Sequence, residues 1–148
     1  MRIAVAADHA GYKLKDELVV WLRELGYDVQ DLGTNGPESV DYPSYGGKLA
    51  RAVATGAVDR GVVVCGTGIG ISIAVNREPH CRCARVEEPV SAALAREHND
   101  ANVLALGARL IGSDMAKACV SAFLGTDFAG GRHQRRVDLL SAQLQDSD

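Results

Sequence analysis

This chain of 148 residues lacks several things, and each absence removes a class of protein. It has no excess of positive charge: 16 Lys and Arg stand against 19 Asp and Glu, for a net charge of −3. A nucleic-acid binder needs a cationic footprint against the phosphates, so no nucleic-acid partner is expected. No apolar run approaches the roughly 20 residues of a membrane-spanning helix, and no membrane association is expected. Cysteine occurs only at positions 65, 81, 83 and 119, in a spacing unlike a secreted disulfide framework. A chain of this length needs no such staples, because it buries about 68–70% of the surface exposed when unfolded. Ile3-Ala4-Val5-Ala6-Ala7 already reads as a strand, which leaves no room for a signal peptide. The expected compartment is the reducing cytoplasm. Linkers, repeats and low-complexity tracts are missing too. Residues 1–148 are therefore expected to form one domain, with 145–148 as a frayed polar tail.

What is present is an alternation of strand and helix patterns. Strands are expected at 3–7, 27–32, 61–64, 81–85 and 103–106. Helical spacing of Leu14, Leu18, Trp21, Leu22 and Leu25, stopped by Gly26, marks a first helix. Further helices are expected at 45–55, 68–75, 89–97, 113–123 and 133–144. Pro89 suits a first helical turn, Ser113 a cap, and the Gly-, Pro- and Asn-rich 33–43 a loop. Five short strands separated by helices imply an α/β fold: a doubly wound, five-stranded parallel sheet, Rossmann-like or flavodoxin-like, flanked by helices.

The most informative stretch is Val62-Val63-Val64-Cys65-Gly66-Thr67-Gly68-Ile69-Gly70. A β-branched run ends in a cysteine, and three glycines follow at alternate positions before a helical segment. Such a run is a buried parallel strand, and ligands bind at the carboxyl edge of open α/β sheets. Gly66 to Gly70 form a candidate backbone nest for an oxyanion or phosphate, and a helix N-terminus favours a thiolate. The glycine spacing is not that of a dinucleotide fingerprint, and the Lys-Ser/Thr of a phosphate loop is missing. Asp8-His9 follows the first strand, so Asp8 either reaches the same edge or caps a helix. His98 ends the fourth helix, where it could act chemically or serve the helix dipole. Arg132 and Arg136 are four apart and share a helix face, as a phosphate clamp or a solvated patch. His80-Cys81-Arg82-Cys83 offers either a metal half-site or, more simply, two cysteines on one strand face.

Together these segments resemble the ribose-5-phosphate isomerase B family, which is grouped with galactose- and allose-6-phosphate isomerases. The resemblance runs from Ile3 to about Leu140 and rests on Asp8-His9-Ala10-Gly11, Asp41-Tyr42-Pro43, Cys65 to Gly70, Arg96-Glu97-His98-Asn99-Asp100, Asn102 to Arg109, and Gly130-Gly131-Arg132-His133-Gln134. It implies an aldose–ketose isomerase acting on a phosphorylated sugar, with no cofactor and no metal. The expected substrate pair is ribose 5-phosphate and ribulose 5-phosphate; a 6-phosphohexose or a non-catalytic sugar-phosphate sensor is the alternative. In one group of the family a cysteine is the base, as Cys65 would be; the glutamate of the other group would fall at Ile71. The resemblance further implies His98 as ring-opening proton donor with Asp8 nearby, and Thr67 as proton shuttle. The N–H groups of Gly66, Thr67, Gly68, Ile69 and Gly70 would hold the enediolate. Arg132 and Arg136 would bind the phosphate, assisted by His9 and Arg109, with Tyr42 and Asn99 among the substrate contacts. It implies a homodimer or tetramer whose C-terminal helix packs on the partner. His98, Asn99 and Arg109 would come from one subunit and Cys65 from the other.

Overall fold

Strand residues point alternately to the two faces of a sheet, and a sheet covered on both faces buries both sets. That is why Val62, Val63 and Val64 are all fully buried, as are Leu104, Ala105 and Leu106. The computed structural model describes residues 1–142. The expected tail at 145–148, and the last positions of the expected final helix, lie outside the described residues. Five strands, β1 (Arg2–Ala7), β2 (Asp28–Asp31), β3 (Arg60–Cys65), β4 (Cys83–Arg85) and β5 (Val103–Gly107), form one parallel sheet in the order β2-β1-β3-β5-β4. The helices are α1 (Tyr12–Glu24), α2 (Tyr42–Ala54), α3 (Ile69–Asn76), α4 (Pro89–Asn99), α5 (Ser113–Leu124) and α6 (Arg132–Ala142).

The last strand does not sit at the edge. It inserts between β3 and β4, with Cys65 opposite Gly107. Parallel crossovers are right-handed, so the direction of travel along the sheet decides which face each helix covers. The steps from β1 to β2 and from β4 to β5 run one way and put α1 and α4 on one face. The steps through α2 and α3 run the other way. The two cores match this division. Ile3, Val5, Val62, Val64, Leu104 and Leu106 pack against Leu18, Leu22, Ala92 and Phe123. On the opposite face Ala6, Val63, Cys65 and Ala105 meet Leu49, Ile71 and Val75. Among β1, β3 and β5, only β3 leaves toward the α2/α3 layer. The two places where crossovers change direction therefore flank its carboxyl end, where open α/β sheets take ligands.

Most expected boundaries move by one or two residues, and three of the shifts have a visible cause. Helix α2 starts at Tyr42 instead of 45, because Pro43 sits in its first turn, where a missing N–H breaks no helical bond. Ser113 is the first residue of α5 and not its cap; Gly112 holds that place, its carbonyl taking the Ala116 N–H at 3.0 Å. Strand β4 begins only at Cys83, leaving Cys81 in the preceding turn. There the Arg82 N–H goes to the Asn102 side chain at 2.8 Å. At the sheet edge the Asn76 side chain accepts from the Cys83 N–H at 2.8 Å and donates to its carbonyl at 2.9 Å, standing in for a neighbouring strand.

Helix α1 begins hard against the end of β3. A Cβ placed on Gly11 would lie 2.6 Å from the Val64 carbonyl oxygen. Gly11→Ala is therefore expected to cost about 1–3 kcal/mol, the usual cost of overpacking. For a chain of this size that lowers the melting temperature by about 2–10 °C. Thermal unfolding followed by circular dichroism checks it, and an unchanged midpoint would contradict the close approach.

Candidate active site

The carboxyl edge of the sheet gathers most of the expected chemistry. Cys65, the last residue of β3, alternates with Val64 and so faces the α2/α3 layer, 4% exposed. Gly68 takes a left-handed conformation, φ 77°, which only glycine adopts without strain, and caps α3. That turn aims the Gly68 N–H at Cys65 Sγ, 3.1 Å away. The Ile69 N–H goes to the Thr67 hydroxyl at 3.2 Å. The first internal α3 bond runs from the Ser72 N–H to the Gly68 carbonyl, so Gly70 and Ile71 have no acceptor four residues back. Of the expected nest donors, Gly68 thus serves the sulfur and Ile69 the threonine. The Ile71 N–H, which the motif did not single out, is left without a helical acceptor like that of Gly70. Tyr42 roofs this turn: a Cβ on Gly70 would come within 2.7 Å of its ring.

Asp8 lies at this edge, directly after β1, and does not cap α1, whose N-cap is Gly11. It is buried, and its Oδ1 accepts from the Ala10 and Gly11 N–H groups at 3.0 and 3.2 Å, shaping the entry to α1. His9 turns its Nδ1 to the Val40 N–H at 3.1 Å. The Val40 carbonyl lies 3.2 Å from the same nitrogen, so Val40 fixes the ring through both its N–H and its carbonyl.

Arg109 corrects an expectation. The resemblance grouped it with His98, away from Cys65, but it belongs to the Cys65 edge. The Ala108 and Arg109 N–H groups donate to the carbonyls of Cys65 and Gly66 at 2.9 and 3.0 Å, which ties the chain leaving β5 to the glycine loop. The guanidinium consequently lies over Gly66, whose Cβ would meet it at 3.3 Å.

The remaining expected residues sit at the opposite edge. Helix α4 runs antiparallel to the strands, so its end delivers His98 and Asn99 to the amino edge, just before β5 begins. Arg96, 4% exposed, bonds Asp100 at 2.7 Å, the Ala101 carbonyl at 2.8 Å and the Thr126 carbonyl at 3.3 Å. With the Ala129 N–H on the Glu97 carbonyl at 3.0 Å, this pins the segment leading into α6 to the end of α4. His133 stacks on His98 as a result, ring centres 4.5 Å apart and planes 15° from parallel. Arg132 and Arg136 are exposed on the same helix. The six residues of β3 span about 17–20 Å. The chain therefore holds these residues in two groups at opposite edges: Asp8, His9, Tyr42, Cys65 to Gly70 and Arg109 at one, His98, Asn99, Arg132 and Arg136 at the other.

The other cysteines belong to the packing. Burial pushes the Cys81 thiol up to about 11 and the Cys83 and Cys119 thiols upward. Cys81 Sγ lies 3.5 Å from the Ala50 carbonyl. His80 pairs with Glu78 at 2.9 Å, and no group of three or more His, Cys, Asp or Glu fit to hold a metal occurs among the described residues.

A thiol at a strand end, beneath free helix N–H groups at the carboxyl edge of an open parallel sheet, defines a small-molecule α/β enzyme. The chain belongs to the Ribose/Galactose Isomerase family, whose profile matches residues 3–140, and is an isomerase. It is 50% identical over 141 residues, 95% of each chain, to ribose-5-phosphate isomerase B of Escherichia coli (strain K12). A solved structure of ribose-5-phosphate isomerase B from Clostridium thermocellum matches with a TM-score of 0.98 at 48% identity, covering 100% of both chains. The Mycoplasma genitalium enzyme, crystallised with bound ribulose-5-phosphate, matches with a TM-score of 0.94 at 36% identity, over 99% of this chain and 97% of that one.

The stacked pair gives a test of its own. Desolvation in the stack, then His98, Arg132 and Arg136, hold His133 below its ordinary 6.5, while Glu97 opposes them. A histidine held low resists the proton that the unfolded chain accepts. This contact is thus fully stabilising above about pH 6.5 and loses its contribution as the pH falls. In His98→Ala the His133 titration is expected to move up, as read from its ring protons by nuclear magnetic resonance. An unmoved titration would contradict the coupling.

Proposed function

We propose that the chain interconverts D-ribose 5-phosphate and D-ribulose 5-phosphate in the cytoplasm, through a cis-enediolate, in a site completed by a second copy. The observation carrying this reading is the split constellation: a base with backbone donors at one sheet edge, and cationic side chains with a histidine acid at the other. In a homodimer that sets one edge against the partner's opposite edge, both halves meet. The exposure of α6, of which only Val137 is buried among residues 132–141, fits packing on a partner.

In this scheme the partner subunit's Arg132 and the partner subunit's Arg136 hold the phosphate as guanidinium forks. His9 and Arg109 assist from the Cys65 side. The partner subunit's His98 protonates the ring oxygen while a solvent water takes the proton of the anomeric hydroxyl; the C1–O bond to the ring oxygen breaks and C1 becomes the aldehyde. The Cys65 thiolate then removes the C2 proton. The electron pair forms the C1–C2 double bond, and the carbonyl π pair moves to O1. Gly70 and Ile71 N–H groups face the charge where it develops. Thr67 relays the O2 proton toward O1 while Cys65 returns a proton to C1, leaving the ketone at C2. Asp8 acts by shaping the turn that carries His9, and the partner subunit's Asn99 contacts the sugar hydroxyls.

The assay is ribulose 5-phosphate formation in the presence of a chelator. Cys65→Ser is expected to lower kcat by about 10²–10⁴-fold, the range for loss of a positioned base. Activity that survives this substitution overturns Cys65 as base. Turnover of 6-phosphohexoses alone would transfer the chemistry to the longer sugars. Cys65→Ala and His98→Ala should each be inactive. Refolded together in equal amounts they should regain about a quarter of parental activity, because half of the dimers would carry one intact site of two. No recovery on mixing would place both residues in one subunit's site.

A further inference from the structure

We propose that Arg85 is a positioning residue for Cys65, acting through the single peptide unit that joins Thr67 to Gly68. This rests on the reading of Cys65 as the base. Arg85 Nε donates to the Thr67 carbonyl at 3.0 Å. The N–H of the same peptide, that of Gly68, donates to Cys65 Sγ at 3.1 Å. In a trans peptide the carbonyl and the N–H point in opposite directions across a rigid plane. The unit is thus a plate with a guanidinium at one end and the sulfur at the other.

Two further restraints hold the plate. A Cβ on Gly107 would lie 2.7 Å from the Thr67 carbonyl carbon and oxygen, so the peptide rests directly on the end of β5. Glu87 accepts from Arg85 Nη2 at 2.5 Å, which orients the guanidinium and leaves Nε for Thr67. The reach is unusual for a surface ion pair. Strand β4 pairs with β5 alone, and Arg85 must cross the end of β5 to find the loop after β3. As an exposed pair, Arg85 with Glu87 would contribute little. As a charge at the oxygen end of an amide, Arg85 polarises that amide and strengthens its N–H as a donor. A thiolate gains more from such a donor than a thiol does. The arrangement favours the reactive form of Cys65 and keeps its sulfur in one place.

Arg85→Met and Arg85→Lys at neutral pH test this, with two readouts. One is the rate of iodoacetamide alkylation at Cys65, followed by peptide mass spectrometry so that the other thiols do not contribute. The second is kcat and KM for isomerisation. Arg85→Met is expected to slow Cys65 alkylation about tenfold and lower kcat about tenfold, with KM within about twofold. Arg85→Lys, which keeps a charge within reach of the Thr67 carbonyl, should recover much of both. Alkylation of Arg85→Met at the parental rate overturns the proposal, as does a loss confined to KM. Alkylation needs no substrate, so a parent inactive on pentose phosphates would count against the proposed function and leave the Arg85 test intact. Should Arg85→Met not fold, Glu87→Gln loosens the same guanidinium from a half-exposed position; a loss of about threefold in alkylation is expected, and none would overturn the proposal.

Discussion

Where β3 and β5 end, backbone has to touch backbone. Cys65 pairs with Gly107, and the Thr67 peptide lies on Gly107 with no room for a side chain between them. That contact fixes the direction in which the chain leaves β3. It forces the left-handed turn at Gly68, which starts α3 above the sulfur. It also draws Arg109 over Gly66, through two hydrogen bonds that prolong the β3–β5 ladder into the loops. The position of the thiol, of the free helix donors and of one cation all follow from two strands that meet closely because one carries a glycine.

Buried cations organise each edge from inside. Lys15 is fully buried and reaches Asp31 at 2.7 Å and Asn35 at 2.8 Å, fastening the loop after β2 to α1. That loop runs on to Val40, the partner of His9, and to Tyr42. Arg96 does the corresponding work at the amino edge, where it ties the end of α4 to the segment that launches α6. Buried charges need partners on all sides, and meeting that need orders loops that apolar packing would leave loose. Both edges therefore owe their shape to polar groups within the core.

The two edges also divide the electrostatics. The end of α4 carries carbonyls without helical donors, a setting that favours a cation such as Arg96. With Arg132 and Arg136 beside it, this edge suits an anion arriving from outside. The Cys65 edge is built chiefly from dipoles: helix N–H groups and the Thr67 hydroxyl. Charge that appears only during reaction is best met by such fixed dipoles, whereas a permanent phosphate is best met by full charges.

Local pattern was sufficient for much of this. The alternation of apolar runs with helical spacing identified every strand and helix, because a parallel sheet demands buried β-branched segments and helices need an apolar stripe. Motifs located Cys65, the glycine turn, His98 and the arginine pair. The boundary at Cys83 turns on contacts between side chains and distant backbone, those of Asn76 and Asn102, whereas those at Tyr42 and Ser113 turn on the local choice of first-turn and capping residue. Arg85 and the stacking of His133 on His98 had no signal in the sequence, because their partners are 18 and 35 residues away along the chain. Residue types and spacing determined which chemistry the chain carries, since that depends on neighbours within a turn or a strand. Only the tertiary structure decided that β5 lies beside β3, that Arg109 stays with Cys65, and that His98 stands at the far edge. Strand order and crossover hand are global properties of packing, and no local stretch of sequence records them.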